Sequence, residues 1–371
     1  MVGVNPRPII TRSLSLRISK IVRISKMSIL RLSALLFAIT LPVMFAASGD
    51  LTIYWVDVEG GAATLIITPA GESLLIDTGN SVPADDRDAK RIYDVATKQA
   101  GLHKIDYLLT THYHTDHVGG LAALAKLIPI GRFFDHGDSV ETQTKNGGPL
   151  YDSYKAISAG KRQILKPGDH IPLKGGMDVV TVSSNGAVLS KPLKGRGEPN
   201  PLCTNAEQKE EDKTENNRSV GVVVTYGNFK FLDMGDLTWS KEMELACPEN
   251  KVGTVTLFQA THHGFFRDWS GAPAFIFAIK PQVVVVNNGD TKGLEPSAFE
   301  RINKIPGLEA VWQEHLASRS DQAHNTNEQR IANTATTGSN DGNWLEAVVS
   351  RDGKFTITNN RNGYHESYAA H

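Results

Sequence analysis

The chain has 371 residues, and its 39 lysines and arginines against 40 aspartates and glutamates give a formal net charge of −1. With 40% hydrophobic and 21% charged residues, it is neither an intrinsically disordered chain nor a polytopic membrane protein. The charge is unevenly distributed, because residues 1–47 contain seven basic residues and no acidic ones. The remainder carries 32 basic and 40 acidic groups, a net charge of −8, which argues against a broadly basic nucleic-acid binder.

An uncharged apolar segment over 32–47 predicts an export signal. It follows Arg31 and ends in small residues, as secretory signal peptides do. It is short for a bilayer span of about 20 residues and contains a proline, so we expect no integral membrane domain after signal cleavage. Met27 is a more natural start than the first methionine, and residues 1–26 then precede the true N-terminus. An uncleaved membrane anchor is the alternative.

The remaining chain, 48–371, is predicted to be a single domain exported to the periplasm or the extracellular space. Pairing of Cys203 with Cys247 is one interpretation in such an oxidising compartment, and two free thiols are the other. The stretch 186–217 has little apolar content and a run of charges, which predicts a solvated insertion loop.

Strands and helices alternate along this domain. An apolar face at helical spacing predicts a helix over 83–101, with Pro83 near its start, and a second helix is predicted over 121–128. Runs rich in β-branched and aromatic residues predict strands over 51–56, 63–68, 73–76, 105–110, 132–134, 178–182, 220–226, 229–232, 254–258, 282–286, 345–349 and 355–358. This order favours a mixed α/β layered domain.

Directly after the strand over 105–110, three histidines and one aspartate fall within six residues, at His112, His114, Asp116 and His117. In a tight loop, residues two apart can point their imidazoles at one ion, while the following Asp-His pair faces another. These ligand types suit two divalent ions, Zn(II) first, with Mn(II) or Fe(II) as alternatives. A polar surface loop is the competing interpretation.

Two later strand ends offer further ligands. Asp233-Met-Gly-Asp236 follows the strand over 229–232, and Thr261-His262-His263-Gly264 follows the strand over 254–258. Each pattern alone is weak, since Gly-Asp turns and surface histidine pairs are common. Combined with the first cluster, they supply a bridging carboxylate and a closing imidazole.

In the order Asp77-Thr-Gly79, the HxHxDH loop, Gly235-Asp236 and His262-His263-Gly264, the chain resembles the metallo-β-lactamase fold hydrolases. The resemblance covers nearly all of 51–360 and implies a four-layer αββα sandwich with its site at one edge of the two sheets. Within the superfamily the chain looks most like the branch of the competence protein ComEC and phosphorylcholine esterase. That likeness is carried by Asp57-Val-Glu-Gly-Gly-Ala62, Asn216-Asn217-Arg-Ser219, the HHG triplet and the run VVVVNNG that ends at Gly289.

The resemblance implies six metal ligands, which are His112, His114, Asp116, His117, Asp236 and His263. The first two would hold one ion, the next two and the last would hold a second, and Asp236 would bridge them. Asp77 would orient a ligand histidine from behind. Of the two adjacent histidines, His263 is favoured as the ligand and His262 is the alternative. In the mechanism that follows, Asp116 orients the attacking water, and His262 or His315 protonates the leaving group.

The chain departs from the superfamily pattern in two places. Many members carry another histidine at the end of the strand over 178–182, where this chain has Ser183 and Ser184. His136 and His170 are candidates to replace it, although neither lies where the pattern expects a ligand. The ComEC branch also often carries a histidine after the late strand, where this chain has Glu295.

The sequence therefore favours an exported metal-dependent hydrolase that cleaves a small phosphodiester or phosphate ester through a metal-bound hydroxide. Long nucleic acid is disfavoured by the net charge of −8. A lactone, ester or β-lactam hydrolase on the same site is the first alternative. A metal-poor binding module is the second, to be recognised by low metal content that His112→Ala does not change. A redox di-iron protein is least favoured, because its pattern places an acid where His114 stands.

Overall fold

The structure, a computed structural model, describes residues 49–82, 85–265, 269–335 and 341–370. The predicted signal segment over 1–47 and Pro83, predicted near the start of the first helix, lie outside the described residues. The described residues fall within one compact unit, Ala46–His371. Among them, no helix combines the length and the apolar character that crossing a bilayer requires.

The elements follow one another in mixed α/β order. The strands are β1 Leu51–Trp55, β2 Thr64–Ile67, β3 Ser73–Ile76, β4 Ile105–Leu109, β5 Ile130–Asp135, β6 Arg162–Ile164, β7 His170–Ile171, β8 Met177–Ser184, β9 Ala187–Val188, β10 Glu198–Pro199, β11 Gly221–Tyr226, β12 Phe229–Asp233, β13 Glu249–Asn250, β14 Leu257–Gln259, β15 Val283–Val286, β16 Ala310–His315, β17 Ile331–Asn333, β18 Leu345–Val349, β19 Lys354–Asn359 and β20 His365–Ala369. The helices are α1 Arg87–Asp94, α2 Thr115–Val118, α3 Leu121–Leu127, α4 Gly147–Ser158, α5 Trp239–Ala246, α6 Pro273–Ile279 and α7 Pro296–Ile302.

Two large sheets contain most of these strands. The first has the order β20-β19-β18-β1-β2-β3-β4-β5-β6, and the second has the order β17-β16-β15-β14-β12-β11-β8-β7, with β9 paired to β8. Each sheet has an antiparallel part and a parallel part, which begins at the β3–β4 pair in the first sheet and at the β12–β14 pair in the second. The ends of β4, β12 and β14 carry the metal-site motifs.

Three hydrophobic clusters separate four layers. The cluster between the sheets includes Trp55 from β1 and Phe231 from β12, whose rings meet edge to face at 5.8 Å. A second cluster packs α1, α3 and α4 on the outer face of the first sheet, and a third packs α5, α6 and α7 on the outer face of the second. Helices therefore cover both outer faces, and the predicted αββα sandwich is confirmed.

The predicted insertion segment contains short ordered elements. β9 extends the second sheet, and β10 pairs with β13 in a separate two-stranded ladder. Cys203 forms a disulfide with Cys247, so the structure has the paired form rather than two free thiols. The bond fastens this segment to the end of α5.

Helix α1 is shorter than the sequence predicted. It spans Arg87–Asp94, and the backbone then continues as a π-helical turn over Val95–Gln99. Ala89, Ile92 and Ala96 are nonetheless buried, so the predicted apolar face is the one that packs on the sheet.

Glu242 on α5 makes the stability of the fold dependent on pH. Its side chain is buried and accepts a hydrogen bond from the Ala272 amide at 2.8 Å. Burial raises the pKa of Glu242 to about 8, although that hydrogen bond opposes the shift. Because the folded-state pKa lies above the unfolded one, the contribution of this group to stability is complete at low pH. It is lost as the pH rises through about 8.

We therefore expect Glu242→Gln to flatten the pH dependence of unfolding between pH 5 and 8. One carboxyl group accounts for a slope of up to about 1.4 kcal/mol per pH unit in this window. Urea denaturation at several pH values measures it. Glu244→Gln, on the exposed side of the same helix, is the matched control and leaves the slope unchanged. Equal slopes for wild type and Glu242→Gln would contradict the assignment.

Candidate metal centre

The HxHxDH loop is held in place by close backbone packing. It runs from the end of β4 into the short helix α2, and its two following glycines lie against the backbone of residues 78–81. A Cβ atom on Gly119 would lie 2.2 Å from the Thr115 carbonyl oxygen, and one on Gly120 would lie 2.1 Å from the Thr78 carbonyl oxygen. The Thr78 amide also donates to the His117 carbonyl at 2.7 Å. The loop is therefore fastened to the neighbouring strand end.

Four predicted ligands converge in one buried group, made of Asp116, His117, Asp236 and His263, whose ligand atoms all lie within 4.8 Å of one another. Nε2 of His117 is 3.2 Å from Nε2 of His263. Asp116 Oδ2 is 3.3 Å from the same nitrogen of His263. The structure thus assembles the set that was predicted for the second ion.

The Asp236 carboxylate lies between two pairs of imidazoles. Its Oδ1 is 3.2 Å from His117 Nε2 and 3.5 Å from His263 Nε2. Its Oδ2 is 3.4 Å from His262 Nε2 and 3.9 Å from His112 Nε2. One oxygen therefore faces each side, which is the arrangement expected of a bridging carboxylate.

His112 and His114 lie side by side, with ring centroids 4.7 Å apart. His112 is buried, and its Nδ1 lies 3.1 Å from Thr111 Oγ1, which leaves Nε2 on the side of Asp236. His114 is 30% exposed, and its Nε2 lies 3.3 Å from Glu141 Oε1. A carboxylate on one ring nitrogen is the usual support of a histidine that binds a metal through the other nitrogen.

Asp77 supports His117 from behind, as predicted from the resemblance. Its Oδ2 lies 2.7 Å from His117 Nδ1 and accepts a hydrogen bond from the Thr111 hydroxyl at the same distance, while Oδ1 accepts from the Thr111 amide. Because this carboxylate bonds to Nδ1, the ring of His117 is held with Nε2 directed into the cluster.

The pKa shifts in the cluster favour neutral His112 and His263 beside an ionised Asp236. Burial lowers the pKa of His112 well below its usual value, and burial together with Lys292 lowers the pKa of His263 to about 4. Burial raises the pKa of Asp236, but the surrounding imidazoles oppose it and hold the value well below the usual range. Burial lowers the pKa of His117, but the carboxylates of Asp236, Asp116 and Asp77 oppose it and hold the value well above the usual range in the absence of a competing cation. Neutral imidazole and ionised carboxylate are the forms that bind metal.

Two buried polar atoms that face the cluster support the fit to a metal ion. His112 Nε2 and Asp236 Oδ1 have no hydrogen-bond partner among the described residues. Buried polar groups are normally paired, so two unpaired atoms at one place need an explanation. Lys292 also places its ammonium group on Asp116 Oδ2, where a positive charge is stabilised. The donor set is nitrogen and carboxylate oxygen, which suits divalent ions such as Zn(II).

The candidates for a replacement histidine do not join the cluster. His136 is buried and bonds to Glu215 at 2.9 Å, and His170 is exposed and pairs with Asp178 at 2.8 Å. His315 lies in a separate buried group with Asp57 and Glu59, and its Nε2 is 2.6 Å from Asp57 Oδ1. The structure therefore gives all three histidines carboxylate partners outside the site.

Three side chains of the site were missed by the sequence analysis. Glu141 lies beside His114, Lys292 bonds to Asp116, and the Ser219 hydroxyl lies 3.4 Å from His112 Nδ1. Ser219 belongs to the Asn-Asn-Arg-Ser segment quoted for the family resemblance, which was the available signal. No motif marks Glu141 or Lys292.

We expect Asp77→Asn to weaken metal binding about 10- to 100-fold, the usual cost of losing such a support. Asparagine accepts the Thr111 amide bond and tolerates the φ of 61° at this position, so the fold should persist. Its amide would donate to His117 Nδ1, which forces the proton onto Nε2 and blocks the ligand nitrogen. Competition against a chelator measures the change, and Asp178→Asn, beside the exposed His170, is the control. Unchanged affinity in Asp77→Asn would contradict this role.

Comparisons with known proteins agree with this geometry. Residues 56–188 match the model of the metallo-β-lactamase superfamily. The chain is 41% identical over 81 residues to a metal-dependent hydrolase of Anaeromyxobacter sp. (strain K), a match that covers 22% of this chain and 26% of that protein. It is 31% identical over 117 residues to an atrochrysone carboxyl ACP thioesterase of Cryptosporiopsis sp. (strain 8999), over 30% and 34% of the two chains. The matches thus span about a quarter to a third of these curated relatives.

Solved structures with a similar fold are more distant. A metal-dependent hydrolase from Parabacteroides distasonis aligns at 14% identity and a TM-score of 0.40, over 70% of this chain and 92% of that one. CmlA, a diiron β-hydroxylase from Streptomyces venezuelae, aligns at 14% identity and a TM-score of 0.38, over 70% and 47%. The family match over 56–188 covers the segment that contains Asp77 and the HxHxDH loop, and this segment is similar to proteins of the metallo-β-lactamase superfamily.

Proposed function

We propose that this protein is an exported metal-dependent hydrolase that cleaves phosphodiester or phosphate ester bonds in small molecules. The convergent cluster and the curated relative named as a metal-dependent hydrolase support the hydrolase part. Two divalent ions, Zn(II) or else Mn(II) or Fe(II), are the proposed cofactors. When bound, such ions activate water and stabilise negative charge that develops on the substrate.

Different residues of the chain would hold the two ions. His112 faces Asp236 Oδ2 and has His114 beside it, while His117 and His263 face Asp236 Oδ1 and lie near Asp116. Asp77 and Glu141 fix the ring orientation of His117 and His114 by bonding to their second nitrogens. These contacts keep the ligand atoms in place without further rearrangement, which is the condition for a precise reaction centre.

The position of Lys292 is the observation that supports a phosphate ester as the substrate. Its ammonium group bonds to Asp116 at the edge of the cluster, and its side chain is 35% exposed. A flexible side chain in this position can turn from Asp116 to an anionic group of a substrate, since lysine is a common partner of phosphate. A cavity of about 460 Å³ beside His114 and Asp116 is lined by polar residues, including Thr144 and Lys145, and can hold the rest of the substrate.

Two observations support export. The basic and apolar N-terminal segment has the composition of a signal peptide, and the Cys203–Cys247 disulfide is typical of proteins from oxidising compartments. The net charge of −8 outside that segment favours a small substrate over a long polyanion. The specific likeness to the ComEC and phosphorylcholine esterase branch remains a prediction.

Ester or thioester hydrolysis is the second candidate function. One curated relative is named as a thioesterase. In addition, Phe265 and Trp269 lie beside His262, with ring centroids 5.5 and 6.1 Å from its ring, and Trp269 is 48% exposed. These rings offer an apolar surface for an acyl or aryl group next to the cluster.

A substrate panel tests the two candidates. Metal-reconstituted protein is assayed against a phosphodiester, a phosphomonoester, a thioester, a lactone and a β-lactam, all with chromogenic readouts. We expect the phosphodiester or the phosphomonoester to give the highest kcat/KM. Turnover of the thioester, lactone or β-lactam without turnover of either phosphate ester would overturn the proposal.

The variant Lys292→Met tests whether the substrate is anionic. Losing the ammonium should raise the KM for the phosphate ester at least about 10-fold, because charge-assisted hydrogen bonds to phosphate are strong. Lys98→Met, which removes an exposed lysine of the π-helical turn after α1, is the matched control. An unchanged KM in Lys292→Met would remove the argument for an anionic substrate.

A further inference from the structure

The side of the cluster that contains His112 and His114 lacks the strand-end histidine found in many superfamily members. Ser183 and Ser184 occupy the corresponding end of β8. The Ser183 hydroxyl donates to the Ser219 carbonyl at 3.0 Å, and the Ser184 hydroxyl donates to the Leu165 carbonyl at 2.8 Å. Both hydroxyls thus donate to the backbone, and neither replaces the histidine on this side of the cluster.

His262 is positioned to complete this side of the cluster. Its Nε2 is 3.4 Å from Asp236 Oδ2, the same oxygen that lies nearest to His112 Nε2. Its side chain is only 14% exposed. The other oxygen of Asp236 faces His117 and His263, so each carboxylate oxygen has two imidazoles near it. The number of imidazoles near the Asp236 carboxylate is therefore the same on its two sides.

The backbone at this point explains how adjacent histidines reach opposite sides of one carboxylate. His262 and His263 both adopt left-handed conformations, with φ of 55° at each residue. Non-glycine residues rarely take this conformation, and strain of this kind persists where the surroundings enforce it. Here the His262 amide donates to the Gly235 carbonyl at 3.0 Å, and the Leu294 amide donates to the His263 carbonyl at 2.9 Å. His262 is therefore fixed directly to the turn that carries Asp236, and His263 is fixed to the segment that carries Leu294.

We propose that His262 is a metal ligand, which completes the site of His112 and His114 in place of the absent strand-end histidine. This assignment rests on the metal centre of the proposed function but not on its substrate. It differs from the catalytic role that the sequence resemblance implied, in which His262 donates a proton to the leaving group. The two roles make opposite predictions for metal binding without substrate.

The decisive experiment measures metal content and affinity in His262→Gly. Glycine accepts positive φ, so this variant relieves the backbone strain and should fold, which circular dichroism and thermal unfolding verify. Purified proteins are loaded with Zn(II) or Co(II), dialysed and analysed for bound metal. We expect two ions in wild type and one tightly bound ion in His262→Gly, with the affinity for the other weakened at least about 100-fold.

Two further measurements separate a ligand from a proton donor. The visible spectrum of the Co(II) protein reports coordination directly, and we expect it to change in His262→Gly. Added imidazole should restore the second ion by occupying the space of the missing side chain. His170→Gly, at an exposed position outside the cluster, is the control and retains two ions.

Retention of two ions with wild-type affinity and an unchanged Co(II) spectrum in His262→Gly would overturn the proposal. Wild-type protein that binds fewer than two ions would overturn it as well. By contrast, a protein that binds two ions but does not hydrolyse phosphate esters refutes the proposed substrate and leaves the ligand assignment standing.

Discussion

Replacing Asp236 with asparagine is expected to reduce bound metal below one ion per chain and to lower kcat/KM by on the order of 10³-fold or more. The physical reason is that both carboxylate oxygens face imidazoles within 3.9 Å, two on each side. Asparagine keeps the shape but removes the negative charge and one of the two oxygen ligands. Because one bridging residue serves both ions, losing it affects the whole centre. Metal analysis and steady-state kinetics on the best substrate measure the two effects.

Asp233→Asn is the matched control for this substitution. Asp233 ends β12, three residues before Asp236, is equally buried, and accepts a hydrogen bond from the Gly235 amide at 2.9 Å. Burial raises the pKa of Asp233 to about 7. The neutral amide of asparagine therefore resembles the protonated form of this carboxyl group, which is already accessible near neutral pH. We expect this variant to retain two ions. If Asp236→Asn also retained both, Asp236 would not be the bridge.

The convergence of the candidate ligands could be predicted from the sequence because these residues are concentrated in short motifs. His112, Asp116 and His117 lie in one loop after a strand, and their spacing alone brings their side chains to one place. Asp236 and His263 follow strand ends, and the carboxyl ends of neighbouring strands in such sheets meet at one edge. Pattern and topology therefore agreed for these residues.

The supporting side chains could not be predicted in this way. Glu141 comes from the segment before α4 and Lys292 from the loop after β15, and neither belongs to a recognisable pattern. Their positions depend on how loops pack. A Cβ atom on Gly60 would lie 2.7 Å from the Gly289 amide nitrogen, so the first hairpin presses directly on the loop that carries Lys292. Contacts of this kind arise only after the whole chain has folded.

The strands could be predicted from the sequence where their buried residues follow a simple apolar pattern. β1, β2 and β15 consist largely of β-branched and aromatic residues and were identified correctly. β16 was missed because its buried sequence ends in Gln, Glu and His, which normally indicate an exposed segment. One of these side chains, His315, is accommodated by a partner far away in the sequence, since its Nε2 lies 2.6 Å from Asp57 Oδ1. β20 was missed because it is an edge strand with alternating exposed residues.

Removing the disulfide should have the largest effect on stability. In the double variant Cys203→Ser/Cys247→Ser, we expect the free energy of unfolding to fall by about 4 kcal/mol, the chain-entropy value for a closed loop of this length. The sequence separation is 44 residues, and the closed segment contains β11, β12 and Asp236. The crosslink therefore restricts, in the unfolded chain, the segment that carries Asp236.

Urea unfolding of the double variant measures this loss, and wild type unfolded in the presence of a thiol reductant provides the comparison. Both should unfold with the same midpoint, because each has lost the same constraint on the unfolded state and nothing in the metal cluster. At low denaturant the folded double variant should still bind two ions, since the disulfide contributes no ligand. A loss below about 1 kcal/mol would mean that the unfolded chain is already restricted without the crosslink. A loss of metal at full folding would instead mean that the disulfide positions Asp236 in the native state.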